Sequence, residues 1–212
     1  WSSDVCSSDL LAAQRGLEAG ATPGKVLETV AAIRRESQLP IVLYIYYNLV
    51  HRQGVETFVR NAAQAGVDGL LVLDLPPEES GAYERHMTDA GLSAIYLVAP
   101  TTPEERVAKI AARASGFIYY VSREGVTGMQ SQVAQSIGAM TASIRAHTQL
   151  PVAVGFGISN PDQAREVATH AEAVVVGSAI VDRIAKFGKS PDLVPEVSGF
   201  VKTLVDAVNA VA

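Results

Sequence analysis

Cysteine is almost absent: Cys6 stands alone among 212 residues. One thiol supports neither an internal disulfide nor a cysteine-based zinc site, and such scarcity fits a reducing cytosol, so a cytoplasmic location is expected. Histidine is scarce too. His51, His86, His147 and His170 are scattered, with no acidic residue at a telling spacing. They read as surface or loop residues, and neither a metal-ligand cluster nor a Ser/His/Asp arrangement is expected. Long apolar runs are missing, none reaching the roughly 18 residues that cross a bilayer, so no membrane span is expected. Basic clusters are missing as well. Lys and Arg number 17 against 22 Asp and Glu, a net charge of −5. The aromatic pairs Tyr46–Tyr47 and Tyr119–Tyr120 have no basic residues interleaved, which argues against nucleic acid as a partner. A secretory signal is not visible either: residues 1–10 carry Asp4 and Asp9 and have no positive start and no apolar centre.

What is present is an apolar, sparingly charged chain, 48% hydrophobic and 18% charged, long enough for one domain with a sizeable core. Residues 1–10, WSSDVCSSDL, contain the near-repeat SSDV/SSDL and no clear helical or strand periodicity. They read as a foreign-looking leader, a disordered native tail being the alternative, and the domain is placed at residues 11–212.

From Leu11 onward short apolar runs alternate with helical patterns. Strands are expected at 40–46, 69–74, 93–98, 116–121, 151–155 and 172–176. Their near-continuous Val, Ile, Leu and Tyr content is that of parallel strands buried on both faces. Helices are expected from Thr22–Pro23 to about Glu36, over 56–65, 78–90, from Thr102–Pro103 onward, 132–148, 161–170 and 191–211, with a short extra one starting at Ser178. Gly66 and Gly91 close two of them. The order β-α-β-α with short connections implies right-handed parallel units. The extra helix after the last strand points to an α/β fold of the phosphate-binding (β/α)₈ TIM-barrel type, incomplete, with about six parallel strands. A doubly wound open sheet would want a glycine-rich turn after its first strand, and none stands there.

Two glycine turns carry the strongest chemical signal. Val154–Gly155–Phe156–Gly157–Ile158–Ser159 leaves one strand, and Val176–Gly177–Ser178–Ala179–Ile180 leaves the next directly into a helix. Glycine admits close backbone approach, and free amides at a helix start attract an anion. Together the turns suggest a cup for a phosphate; each alone would also serve as a tight βα turn. The polar loop Ser122–Arg123–Glu124–Gly125–Val126–Thr127–Gly128 suits closure over a substrate, with Gly128 adding an amide to the cup and Thr127 anchoring the closed loop. Asp74 ends a strand before Leu75–Pro76–Pro77, where a carboxylate serves chemistry, positioning, or only the next turn.

With Tyr46–Tyr47–Asn48–Leu49 and Leu73–Asp74–Leu75–Pro76, these segments resemble the tryptophan synthase α chain in order and spacing, from Leu11 to Ala212. SREGVTG with the later GFGIS is the specific part; GSAIV is shared more loosely among phosphate-binding barrels. The resemblance implies a lyase of tryptophan biosynthesis that cleaves indole-3-glycerol phosphate into indole and glyceraldehyde 3-phosphate. It implies no cofactor in this chain and a pyridoxal-phosphate β chain as partner in a heterotetramer. Carried over, the substrate phosphate would sit on Gly128, Gly157, Gly177 and Ser178. The indole pocket would be lined by Tyr44, Leu71, Leu97, Tyr119 and Phe156, with Tyr44 standing where Met or Leu is usual. Asp74 would position a neighbouring loop and Thr127 would belong to the closing one.

The departure is at the front. The family's catalytic pair, a glutamate on strand 2 and an aspartate in the following loop, would lie before Leu11, together with strands 1 and 2. Glu18 and Asp9 stand in the wrong context, so no catalytic residue is assigned and the chain as written is expected to be inactive or nearly so. The alternatives are a non-catalytic partner of a β chain, or another phosphate-binding barrel such as an indoleglycerol-phosphate synthase. The latter would want a catalytic Lys at an early strand end.

Overall fold

The computed structural model describes the backbone of residues 3–121, 130–155 and 157–211, and the side chains of 10–121, 136–155 and 157–211. In chain order the elements are α1 (Ser3–Glu18), α2 (Pro23–Arg34), β1 (Val42–Ile45), α3 (Tyr47–Arg52), α4 (Val55–Ala65), β2 (Gly69–Val72), α5 (Gly81–Asp89), β3 (Ser93–Val98), α6 (Glu104–Arg113), β4 (Ile118–Val121), α7 (Gln130–Arg145), β5 (Val152–Gly155), α8 (Pro161–Ala168), β6 (Ala173–Val175), α9 (Ser178–Phe187) and α10 (Leu193–Asn209). The six strands follow one another in sheet order as in the chain, β1-β2-β3-β4-β5-β6. All six expected strands are present; β3 has its expected bounds and the other five are shorter. The central β2 and β5 are buried at every residue, as a sheet covered on both faces requires. Terminal strands β1 and β6 are only partly buried.

Three local results differ from the sequence reading. A helix, α1, begins at Ser3, inside the segment read as aperiodic; the run Leu10–Glu18, rich in Leu, Ala, Gln and Glu, has the propensity to extend a helix backwards. The six-residue α3 was not expected, because one and a half turns leave no periodicity to read. The helix expected over 78–90 is broken at Ser80: a 3₁₀ turn spans Pro77–Glu79, and α5 starts at Gly81.

The residues cluster in two compact units, one of 21–119 with 146–150, the other of 1–20, 120–145 and 151–212. In the first unit β1, β2 and β3 are parallel, with Val42 opposite Gly69 and Gly69 opposite Ser93. Phe58, Val59 and Ala62 of α4, Leu70 of β2, Met87 of α5 and Val107 of α6 are buried in its core. Gly66 ends α4 in the left-handed region at φ 93°, which glycine takes without strain. Arg34 fills the space above it, donating to the Gly66 carbonyl at 2.6 Å and pairing with Asp68. The Asp68 carboxylate also accepts from Ile41 N at 2.7 Å. One carboxylate thus ties the approach to β1 to the approach to β2.

A polar network joins α5, β3 and α6. Glu84 Oε1 accepts from Tyr96 Oη at 2.5 Å and from Ser80 Oγ at 2.5 Å, while Oε2 accepts from Arg113 Nη1 at 2.9 Å. Burial pushes the Glu84 carboxyl up, but the hydrogen bonds of Ser80 and Tyr96 and the charge of Arg113 outweigh it and hold it below the usual carboxylate range. Because the folded value is depressed, the stabilisation is complete above the ordinary value of 4.5 and is lost as pH falls through the folded one. Glu84→Gln is expected to cost about 2 kcal/mol at neutral pH, since it weakens charge-assisted bonds and leaves Arg113 without its carboxylate. Urea melts at pH 7 and pH 4 check this: the deficit of the variant shrinks at the lower pH.

In the second unit β5 and β6 are parallel, with Ala153 opposite Ala173 and Gly155 opposite Val175. Ile137, Thr141 and Ile144 line the buried face of α7, and Phe200, Leu204 and Ala207 that of α10. Glu172 anchors the start of β6 to β5: its carboxylate accepts from Val152 N at 2.8 Å and from Arg145 Nη2 at 2.6 Å.

Candidate phosphate and indole sites

Register brings the two glycine turns to one level. Gly155 and Val175 are opposite one another, so Gly157 and Gly177 each lie two residues beyond a shared rung, at the same end of adjacent parallel strands. Gly157 has φ 63°, a left-handed conformation that strains residues with a Cβ. No described atom lies within 4 Å of a Cβ built on either glycine, so both turns border space that no described residue fills. Two residues on, Ile158 is buried and holds the first turn down; Asn160 then caps α8, its side chain accepting from Gln163 N at 3.0 Å.

Gly177 starts α9 without a side-chain cap. Its carbonyl accepts from Ile180 N at 2.9 Å and Val181 N at 3.1 Å, which sets the helix running at once. The amides of Ser178 and Ala179 have no acceptor within the helix, and the helix dipole adds its positive end there. Exposed Gly177 and half-buried Ser178 leave this end open to solvent. Gly157, Gly177 and Ser178 therefore come together in one unit. Gly128, Thr127 and Phe156 lie outside the described residues.

The apolar residues assigned to an indole pocket fall on strands of the other unit. Tyr44 is opposite Leu71, and Leu71 opposite Ile95. Directly opposed residues of parallel strands share a face, and alternation adds Leu97 to it. Tyr96, on the opposite face, reaches Glu84 of α5, so the Tyr44–Leu71–Ile95–Leu97 face is the one turned away from that helix. Leu71 is buried, Leu97 and Tyr119 are half-buried, and Tyr44 is 63% exposed. Ile95 belongs to this row although the sequence did not single it out. Only strand register reveals it.

Asp74, two residues beyond the end of β2, accepts from Tyr47 N at 2.6 Å. Tyr47 is the first residue of α3, whose own N-cap, Tyr46, offers no side-chain bond. The carboxylate thus caps the neighbouring βα turn. His147 comes within 3.6 Å of Glu104 on an exposed surface. Among the described residues no group of three His, Cys, Asp or Glu is placed to hold a metal ion, and no helix is long and apolar enough to cross a membrane.

A family model described as the tryptophan synthase alpha chain matches residues 10–208. The chain belongs to the tryptophan synthase alpha chain family. It is 57% identical over 182 residues to the tryptophan synthase alpha chain of Opitutus terrae, covering 86% of this chain and 68% of that one. To the Geotalea daltonii alpha chain it is 46% identical over 200 residues, covering 94% and 74%. Among solved structures, the Legionella pneumophila alpha subunit superposes with a TM-score of 0.86 at 30% identity, covering 96% of this chain and 76% of that one. The tryptophan synthase α2β2 complex of Pyrococcus furiosus gives 0.86 at 31% identity, covering 97% and 84%. The six parallel strands and their helices are those of an incomplete (β/α)₈ barrel, and the family is one of lyases in tryptophan biosynthesis. Neither the doubly wound sheet nor an indoleglycerol-phosphate synthase describes the chain.

Proposed function

We propose that the amides of Gly157, Gly177 and Ser178 bind the phosphate of indole-3-glycerol phosphate; Tyr44, Leu71, Leu97 and Tyr119 are assigned to its indole on the family pattern. The observation that supports this most is the shared rung of Gly155 and Val175, which sets two open glycine turns and an uncapped helix start side by side. A dianion there gains charge-assisted hydrogen bonds and the helix dipole at once. Gly128 is assigned to the same phosphate, Phe156 to the indole, and Thr127 to the closing loop, on the family pattern. Asp74 is a positioning residue, holding the first turn of α3 through Tyr47. The partner is a tryptophan synthase β chain, in keeping with the solved α2β2 relative, and the phosphate cup needs no cofactor.

Calorimetric titration with glycerol 3-phosphate tests the phosphate half alone. Binding that weakens as the phosphate loses its second charge near pH 6 is expected. Ser178→Ala, which keeps the backbone amide and removes the hydroxyl, is expected to weaken binding about three- to tenfold, the worth of one hydrogen bond to a charged group. Identical affinities in the two proteins would remove the Ser178 hydroxyl from the cup and leave only its amide there, and no heat in either would remove the cup.

A further inference from the structure

A second cleft, separate from the glycine turns, opens on the same unit between the start of α8, the middle of α9 and the first turns of α10. It is an open cleft of about 420 Å³. Arg183, Glu196, Phe200, Pro161, Pro195 and Gly199 are among its walls; Gly157, Gly177 and Ser178 are not. Its chemistry has two signs. The central guanidinium carbon of Arg183 lies over the buried Phe200 ring, 3.9 Å from the centroid. An aromatic ring accepts no conventional hydrogen bond from the guanidinium, whose N–H groups still call for an acceptor. No described residue supplies one as an ion pair, and the Glu196 carboxylate likewise pairs with no described cation. Two prolines give rigid apolar wall, and Gly199 leaves the floor open: a Cβ there would meet no described atom within 4 Å.

We propose that this cleft binds a free α-amino acid with an apolar side chain. The ligand carboxylate takes the bidentate edge of Arg183. Its ammonium group takes Glu196, and its side chain lies on Pro161, Pro195 and the open backbone at Gly199. A simple anion would leave Glu196 facing it with like charge, and an amine would do the same to Arg183; a zwitterion satisfies both. The site is independent of the phosphate cup, so its occupancy by an amino acid is an additional binding function.

The test is titration of the whole chain with L-phenylalanine, followed by amide chemical shifts. Two half-charged analogues, 3-phenylpropionate and phenethylamine, serve as controls. Saturable binding is expected, with shifts confined to α8, α9 and α10, and with each analogue about tenfold weaker or worse. Arg183→Met and Glu196→Gln are each expected to weaken phenylalanine about tenfold. Gly199→Leu should abolish binding while the thermal midpoint is kept or raised, because leucine favours a helix interior over glycine and meets no neighbour at its Cβ. Gly177→Asp, at the phosphate cup, should leave phenylalanine affinity unchanged. Equal affinity for 3-phenylpropionate would overturn the amino-acid assignment. Unaltered binding in Gly199→Leu, or no saturation by 20 mM (on the order of the weakest useful metabolite affinities), would overturn the site.

Discussion

Mixed with indole-3-glycerol phosphate, these 212 residues are expected to bind the ester yet release indole at no more than about a hundredth of the rate of a curated relative, because Asp68, Asp74 and Glu172 at the described strand ends each hold a backbone amide and general acid/base catalysis contributes roughly 10²–10⁴. Cleavage requires a proton delivered to the indole ring carbon and another removed from the glycerol hydroxyl. Carboxylates near the described strand ends are already committed. Asp74 accepts the Tyr47 amide, Asp68 is held by Arg34 and the Ile41 amide, and Glu172 by Arg145 and the Val152 amide. A carboxylate engaged in these bonds would have to give them up to reach a substrate. Burial pushes the Glu172 carboxyl up, but the hydrogen bonds of the Val152 amide and Arg145 and the charge of Arg145 outweigh it and hold it below the usual range, opposite to the shift a general acid needs. Colorimetric detection of indole at saturating substrate, with and without a β chain, measures the rate. Turnover within about tenfold of an intact relative would show that these residues suffice, and would return Asp74 to the list of proton carriers.

Gly177→Asp should have the largest effect on binding, weakening glycerol 3-phosphate by more than about a hundredfold, or about 2.7 kcal/mol. The φ there, −111°, is outside the left-handed region that demands glycine, and an added Cβ finds no described atom within 4 Å. The substitution therefore introduces a charge with little steric cost. A carboxylate beside the Ser178 and Ala179 amides occupies their donors and repels a phosphate dianion. An aspartate at a helix start is itself favourable, so the melting temperature should hold or rise while affinity falls. Opposite movement of stability and affinity separates this from simple unfolding. Gly177→Ala provides the neutral control, and a similar loss in both would place the effect in shape rather than charge.

The strands were legible because parallel strands buried on both faces must be apolar at consecutive positions, as β2 and β5 are. The glycine turns were legible because backbone conformation and close approach write glycine into the chain: Gly157 and Gly66 both take positive φ. Relations between elements were not legible. The hydroxyls of Tyr96 and Ser80 and the guanidinium of Arg113 meet at Glu84 only once β3, α5 and α6 are assembled. Ile95 joins the Tyr44–Leu71 row only through register. Arg183 reads in the sequence as an ordinary charge on a short helix, and its partner Phe200 lies on another. Asp74 could be named as a carboxylate at a strand end, whereas its acceptance of the Tyr47 amide required the structure.

The parallel pairing has a kinetic consequence. Val42 meets Gly69, Gly69 meets Ser93, and Ala153 meets Ala173, so no such rung is closed by a tight hairpin and each waits for an intervening helix to be laid down. Loop closure must precede any reward from the sheet, which slows the search. Freshly synthesised chains pass through collapsed species whose strand edges are still bare, and these are the moments at which a chaperone or a neighbouring copy can capture them.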